Sequence, residues 1–273
     1  TAYKQFVVEA LGTDFDDIEI VQGDSDRVAT GGGTGGSRSV PVGGAAISDG
    51  TTKILEKALI KAADEMEVAA ADLEVENGRF TIAGTDRSMT FTELAQKSDD
   101  DVAFEEAGSF KPPTNTYPNG THIAEIEIDP DTGVVDILRF TVVDDFGRIM
   151  NPLLVEGQVH GGIAQGIGQA LHENAQFEPD TGQLLTGSFM DYAMPRADNL
   201  PFVDFHTNNV PCTTNPLGIK GAGEAGCIGA TPAVINAVID ALSVYGVDHI
   251  DMPATPHVIW QTIQAHRSAQ AAE

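Results

Sequence analysis

Cysteine, tryptophan and basic residues are scarce in this sequence of 273 residues: two Cys, one Trp and 15 Lys plus Arg. Cys212 and Cys227 form no C-x-x-C pair, so the chain encodes neither a cysteine-built zinc site nor an iron–sulfur cluster, and no disulfide framework. Reduced thiols in a cytoplasmic protein are the expectation. Against the 15 basic residues stand 41 acidic ones, for a formal charge of −26. Nucleic acid and anionic membrane surfaces are poor partners for such a chain, because like charges repel. The charge favours solubility, either as a plain solvated shell or as an adaptation to a salt-rich habitat. No unbroken run of eighteen apolar residues occurs, and no membrane span is expected. No secretory leader is visible, and the first residue is Thr1 rather than Met, as in a processed chain or a piece of a longer one. The seven histidines are scattered without metal-ligand spacing, and no G-x-S-x-G elbow or Ser-His-Asp order stands out.

What is present is a mixture of helical and strand patterns. Residues 5–12 read as a helix, 18–21 as a strand, 44–66 as a long helix and 73–83 as a strand pair turned at Asn77-Gly78. Thr90 precedes Glu93 by three positions, the spacing of a capping box for a helix over 90–97. The stretch 98–120 is acidic and then rich in Pro, Gly and Asn, which reads as a loop or linker. Strands follow at 122–128 and 134–143, joined by Asp129-Pro130-Asp131-Thr132-Gly133. Over 154–173, Val155, Val159, Ile163, Ile167 and Leu171 make an apolar helical stripe. At about 100° per residue, Gln158, Gln165, Gln169 and His172 share another face. Five glycines between positions 157 and 168 imply close packing, by a neighbouring backbone or by a ligand. The last helices are expected at 232–244, capped by Thr231 with Pro232 at the first helical position, and at 255–266. The pattern predicts an α+β fold, with mixed sheets and helices packed on one side. Its expected parts are residues 1–100, a linker at 101–120, and residues 121–273.

Two glycine-rich segments carry the chemistry. In 215–226 the acid Glu224 stands among four glycines (218, 221, 223 and 226), which clears the main chain for close approach and suits a base in a dry pocket. Residues 221–226 also satisfy G-x-G-x-x-G. A dinucleotide fold needs a strand before that motif and a helix directly after it; the preceding segment holds two prolines, and the capped helix is expected only at Pro232. The second segment, 31–39, lacks the Lys ending of a P-loop. It nonetheless sets bare amides beside Thr34, Ser37, Arg38 and Ser39, which makes an anion cradle or else a surface loop.

Five motifs in order then carry a family resemblance: 31–39, 145–152 (Asp145 to Pro152), 156–166 (Glu156 to Gly166), 190–196 (Met190 to Arg196) and 215–226. The chain resembles the C-terminal part of the large, molybdenum-cofactor-binding subunit of the xanthine oxidase family of molybdenum hydroxylases, nearest in look to bacterial carbon monoxide and aldehyde dehydrogenase-like members. The resemblance implies a two-lobed cofactor-binding domain and hydroxylation of an aldehyde, carbon monoxide or an N-heterocycle with water as the oxygen source. Glu224 matches the family's active-site base. Gly35, Gly36 and Ser37, helped by Thr34 and Ser39, match the loop beside the metal and its pterin. Gln165 matches a pterin-bonding glutamine, Lys220, Gly221, Ala222 and Gly223 match the strip beside the glutamate, and Asn151 and Gln158 are further candidates. The implied cofactor is molybdopterin, in its cytosine dinucleotide form, which holds the molybdenum through its own sulfurs, so no protein metal ligands are expected. The implied partners are the N-terminal half of the large subunit, an iron–sulfur subunit and an FAD subunit. The alternative is a non-catalytic nucleotide-binding or assembly module that kept the fold.

Overall fold

The computed structural model describes residues 1–98 and 103–270. The first residues of the expected linker and residues 271–273 of the expected second part lie outside the described residues. Two compact units are formed, Thr1–Thr116 with Pro211–Lys220, and Tyr117–Val210 with Gly221–Glu273. A partition into contiguous stretches misses the return of 211–220 to the first unit.

The first unit opens with α1 (Ala2–Leu11), and a π-helical turn (Ser39–Gly44) leads into α2 (Ala45–Glu65). No strand forms at 18–21, because these residues find no partner strand. Tyr3 and Phe6 of α1 press on Gly43 and Gly44: a Cβ on Gly44 would lie 2.6 Å from the Phe6 ring and 3.2 Å from Leu217. A small antiparallel sheet follows, β1 (Leu73–Glu76), β2 (Arg79–Ile82) and β3 (Ser88–Thr90), then α3 (Phe91–Gln96). The capping box is present: Glu93 Oε2 accepts from the Thr90 amide at 2.7 Å, and Thr90 Oγ1 accepts from the Glu93 amide at 3.2 Å. Phe80, Leu94, Ala58 and Ala62 are fully buried between sheet and helices. Part of the expected linker is docked: the Ser109 amide donates to Asp49 and Lys57 pairs with Glu106, both along α2.

The second unit is built on a mixed sheet. β4 (Asn119–Ile128) and β5 (Val135–Asp145) are antiparallel, and β6 (Val203–Thr207), which the sequence pattern does not announce, lies parallel to β5. The hairpin turn is held by Asp129, which accepts from Thr132 Oγ1 at 2.7 Å and from the Asp131 amide at 2.9 Å. α4 (Pro152–Ile167) is capped by Asn151, continues as a π-helical turn (Gly168–His172), and buries Val159, Ile163, Ile167 and Leu171. α5 spans Ala225–Leu242 and α6 spans Pro256–Gln270. Pro232 therefore lies inside α5 rather than at its first position. Thr231 is not the cap: its hydroxyl reaches back to the Cys227 carbonyl at 3.2 Å and across to the Gly166 carbonyl of α4 at 3.4 Å. By length and mean hydropathy the stretch Ala225–Tyr245 qualifies as a candidate membrane span, a point that the absence of an unbroken apolar run does not anticipate. In this chain it packs on α4 and β4, with Ala230, Val234, Val238 and Leu242 buried in the core.

Candidate functional site

In the first unit, residues 31–36 are exposed, and a Cβ on Gly31, Gly32, Gly33 or Gly35 would meet nothing within 4 Å. The loop is nonetheless shaped. Ser39 Oγ donates to Thr34 Oγ1 at 3.3 Å, Arg38 Nε donates to the Gly35 carbonyl at 3.1 Å, and the Tyr3 hydroxyl donates to the Ser39 carbonyl at 2.9 Å. Ser37 adopts a φ of 52°, uncommon for a residue with a side chain, and Arg38 after it is right-handed. Such a change of hand aims successive amides into one concavity, which favours an anion. Lys220 ends this unit on a stapled loop. Buried Asn215 donates from Nδ2 to the Ile219 carbonyl at 2.8 Å and accepts from the Ile219 amide at 3.2 Å, while Gly218 turns the chain at a φ of 69°.

In the second unit, Glu224 is the N-cap residue of α5, directly after Gly221, Ala222 and Gly223. Its side chain is exposed in this chain, not in a dry pocket. The physical reason is that the neighbouring glycines do other work: Gly226 is buried against α4, where a Cβ would collide with the Val159 carbonyl and lie 3.0 Å from the Gly162 Cα. This crossing packs the first turn of α5 on the middle of α4. There Gln158 and Gln165 are exposed on one face together with Gly157 and Gly161, at which an added Cβ would meet nothing within 4 Å. The five glycines of 157–168 thus divide: Gly162 and Gly166 of α4 and Gly168 of the π-helical turn serve packing, while Gly157 and Gly161 leave a bare strip. Asn151 caps the helix through Oδ1, which accepts from the Leu154 amide at 3.1 Å. The 190–196 motif folds onto the end of α4, where the Tyr192 hydroxyl donates to Glu173 Oε2 at 2.5 Å. Among the described residues, no group of three His, Cys, Asp or Glu is placed to hold a metal ion.

The sequence singled out neither Asn215 nor Asp145 as an organiser. Asp145 Oδ1 accepts from the amides of Gly147 and Val210 at 2.8 and 3.0 Å, so it shapes the 145–152 motif. The Asx-type step to Gly147 is a signal that sequence could have offered; the contact with Val210, 65 positions away, is not.

A family model described as the molybdopterin cofactor-binding domain matches residues 1–201. The chain belongs to this family of molybdopterin cofactor-binding domains. Among its relatives, the carbon monoxide dehydrogenase large chain of Hydrogenophaga pseudoflava is 35% identical over 98% of this chain and 34% of its own length. The 6-hydroxypseudooxynicotine dehydrogenase complex subunit gamma of Paenarthrobacter nicotinovorans is 36% identical over 99% of this chain and 35% of its own. Among solved structures, the reconstituted CO dehydrogenase from Oligotropha carboxidovorans superposes with a TM-score of 0.87 at 35% identity, over 98% of this chain and 34% of that one. The chain spans about a third of the length of the curated relatives it matches. The likeness to xanthine oxidase-type large subunits drawn from the five motifs is borne out, as is the α+β architecture. Each unit by itself has features that suit a molybdopterin cofactor: in the first, the turn at 31–39 offers amides to phosphate oxygens, and in the second, the N-terminus of α5 does the same while the bare strip of α4 with Gln158 and Gln165 suits a flat polar heterocycle.

Proposed function

We propose that this chain is the cofactor-binding portion of a molybdenum hydroxylase large subunit, which oxidises a small substrate (an aldehyde, carbon monoxide or an N-heterocycle) with water as the oxygen source and Glu224 as the base. The observation that carries this reading is the match of residues 1–201 to the molybdopterin cofactor-binding domain, together with Glu224 as the N-cap residue of α5 directly after Gly221, Ala222 and Gly223. The molybdenum centre, when bound, supplies a two-electron acceptor. Every other element belongs to this chain. The amides around Gly35, Gly36 and Ser37, with the hydroxyls of Thr34 and Ser39, hold phosphate or pterin oxygens, and Lys220 adds a positive charge on the Asn215-stapled loop. Gln165, with Gln158 and the Asn151 cap behind them, orients the heterocycle along the bare strip. Gly221, Ala222 and Gly223 let it lie close to the carboxylate. Glu224 removes the proton from the attacking oxygen, a step that general bases accelerate by about 10²–10⁴-fold.

Glu224 is exposed in this chain, whereas the reaction calls for a site that excludes water. The reading therefore also assigns a roof over Glu224 to the rest of the large subunit. It further assigns the cytosine dinucleotide form of the cofactor, separate iron–sulfur and FAD subunits that carry electrons away, and a cytoplasmic setting.

The test is the assembled enzyme with Glu224→Gln. Turnover is expected to fall by about 10²–10⁴-fold while molybdenum and cytidine monophosphate, measured by mass spectrometry, stay stoichiometric. Unchanged turnover would remove Glu224 from the reaction. An assembled wild-type protein with no molybdenum and no redox activity would leave the non-catalytic module as the answer.

A further inference from the structure

Under the second turn of α5 lies a polar pair that the chemistry above does not use. His122 of β4 and Asp144 of β5 lie on the core side of the mixed sheet, with side chains 5% and 4% exposed, and His122 Nε2 stands 3.3 Å from Asp144 Oδ1. Since a carboxylate oxygen accepts, Nε2 carries the hydrogen. The surroundings are apolar: Phe140 meets the imidazole edge-on at 5.7 Å between centroids. Burying such a pair costs desolvation that two hydrocarbon side chains would avoid. His122 Nδ1 and Asp144 Oδ2 find no partner among the described residues, so no wider network offsets that cost. Stability alone gives no reason for it.

Two glycines clear space for the pair. A Cβ on Gly229 of α5 would lie 2.6 Å from three atoms of the His122 ring, which means the helix backbone rests on the imidazole. A Cβ on Gly120 would collide with Asp144 Oδ1. The opening turns of α5 are thus gripped by Gly162 of α4 at Gly226 and by His122 at Gly229. Glu224 caps the same helix, about 7.5 Å along its axis from Gly229 at 1.5 Å per residue.

We propose that His122, locked by Asp144, is a positioning residue for Glu224. The imidazole fixes the height and rotation of the first two turns of α5, and with them the place at which the carboxylate stands. The inference rests on the reading of Glu224 as the base.

The experiment uses the assembled, molybdenum-loaded enzyme. His122→Phe keeps a ring against Gly229 and removes the donor to Asp144; His122→Gln restores a donor. For His122→Phe, kcat falls by about 10- to 100-fold with KM changed by less than roughly twofold and molybdenum content unchanged. Hydrogen exchange of amides 225–229 accelerates while that of 234–242 does not, and His122→Gln recovers most of the rate. Wild-type kcat and exchange in His122→Phe overturn the proposal. A loss of kcat that only tracks lost molybdenum, or faster exchange along all of α5, also overturns it, because the pair would then be merely structural. If His122→Phe does not fold, the same readings on Gly229→Ala, which pushes on the ring with the pair intact, decide in the same way. Glu224→Gln is measured alongside: wild-type turnover there brings down the base and its positioning together, whereas loss there with a wild-type His122→Phe brings down the positioning alone.

Discussion

Gly226 of α5 and Gly162 of α4 are in backbone contact: a Cβ added to Gly162 would lie 2.9 Å from the Cα of Gly226 and 2.9 Å from the Cys227 amide nitrogen. The atoms in the way are main chain, which cannot swing aside. Gly226→Ala should therefore cost about 1–3 kcal/mol, seen as a lowered thermal midpoint. Gly157→Ala and Gly161→Ala face open space and should stabilise the cofactor-free chain by about 0.5–1 kcal/mol each. In the assembled enzyme the same two changes should lower molybdenum content, since methyl groups would now stand on the bare strip.

Asn215→Ala removes a buried side chain that bonds both the amide and the carbonyl of Ile219. Leaving those backbone groups unpaired should cost about 1–3 kcal/mol. Cofactor retention should fall with it, because the staple holds the loop that leads to Lys220. Equilibrium unfolding in urea and metal analysis check the two effects.

His172 is half-buried, and burial holds its imidazole below the ordinary value of 6.5; the nearby Glu173 charge opposes this only in part. The unfolded chain thus binds more protons at this residue than the folded one in the window just below 6.5. The stability gained from keeping His172 neutral is complete above that value and is lost as pH falls towards the depressed folded pKa. His172→Gln should flatten this part of the acid limb in a series of thermal melts between pH 7 and 5.

The formal charge of −26 implies self-repulsion over the whole surface. At 1 M salt the screening length shrinks to about 3 Å. Potassium chloride at that concentration should raise the thermal midpoint, and charge-reversing Glu→Lys changes on exposed positions such as Glu74 and Glu76 should lessen the dependence. A midpoint that does not respond to salt would make the acidic shell energetically neutral.

Local signals in the sequence translated well into structure. The Thr90–Glu93 box, the Asp129–Gly133 turn and the stripe from Val159 to Leu171 each depend on neighbours three or four positions away, and each forms. Failures arose where the deciding contact is distant. Residues 18–21 alternate like a strand but pair with neither sheet, whereas β6 is short and becomes a strand only because β5 pairs with it in parallel. Thr231-Pro232 imitates a helix start, yet the true start is decided by the fit of Gly226 on α4. For the same reason the motif glycines around Glu224 looked like clearance for a ligand when one of them is clearance for a helix. The pair of His122 and Asp144, 22 positions apart and in no motif, left no trace in the sequence.

The Tyr3 hydroxyl grips the Ser39 carbonyl across 36 positions of chain. One phenolic proton thus acts as a latch on the loop at 31–39, so even Tyr3→Phe, which leaves the ring seated on Gly43, should loosen that loop and, under the proposed function, its hold on phosphate.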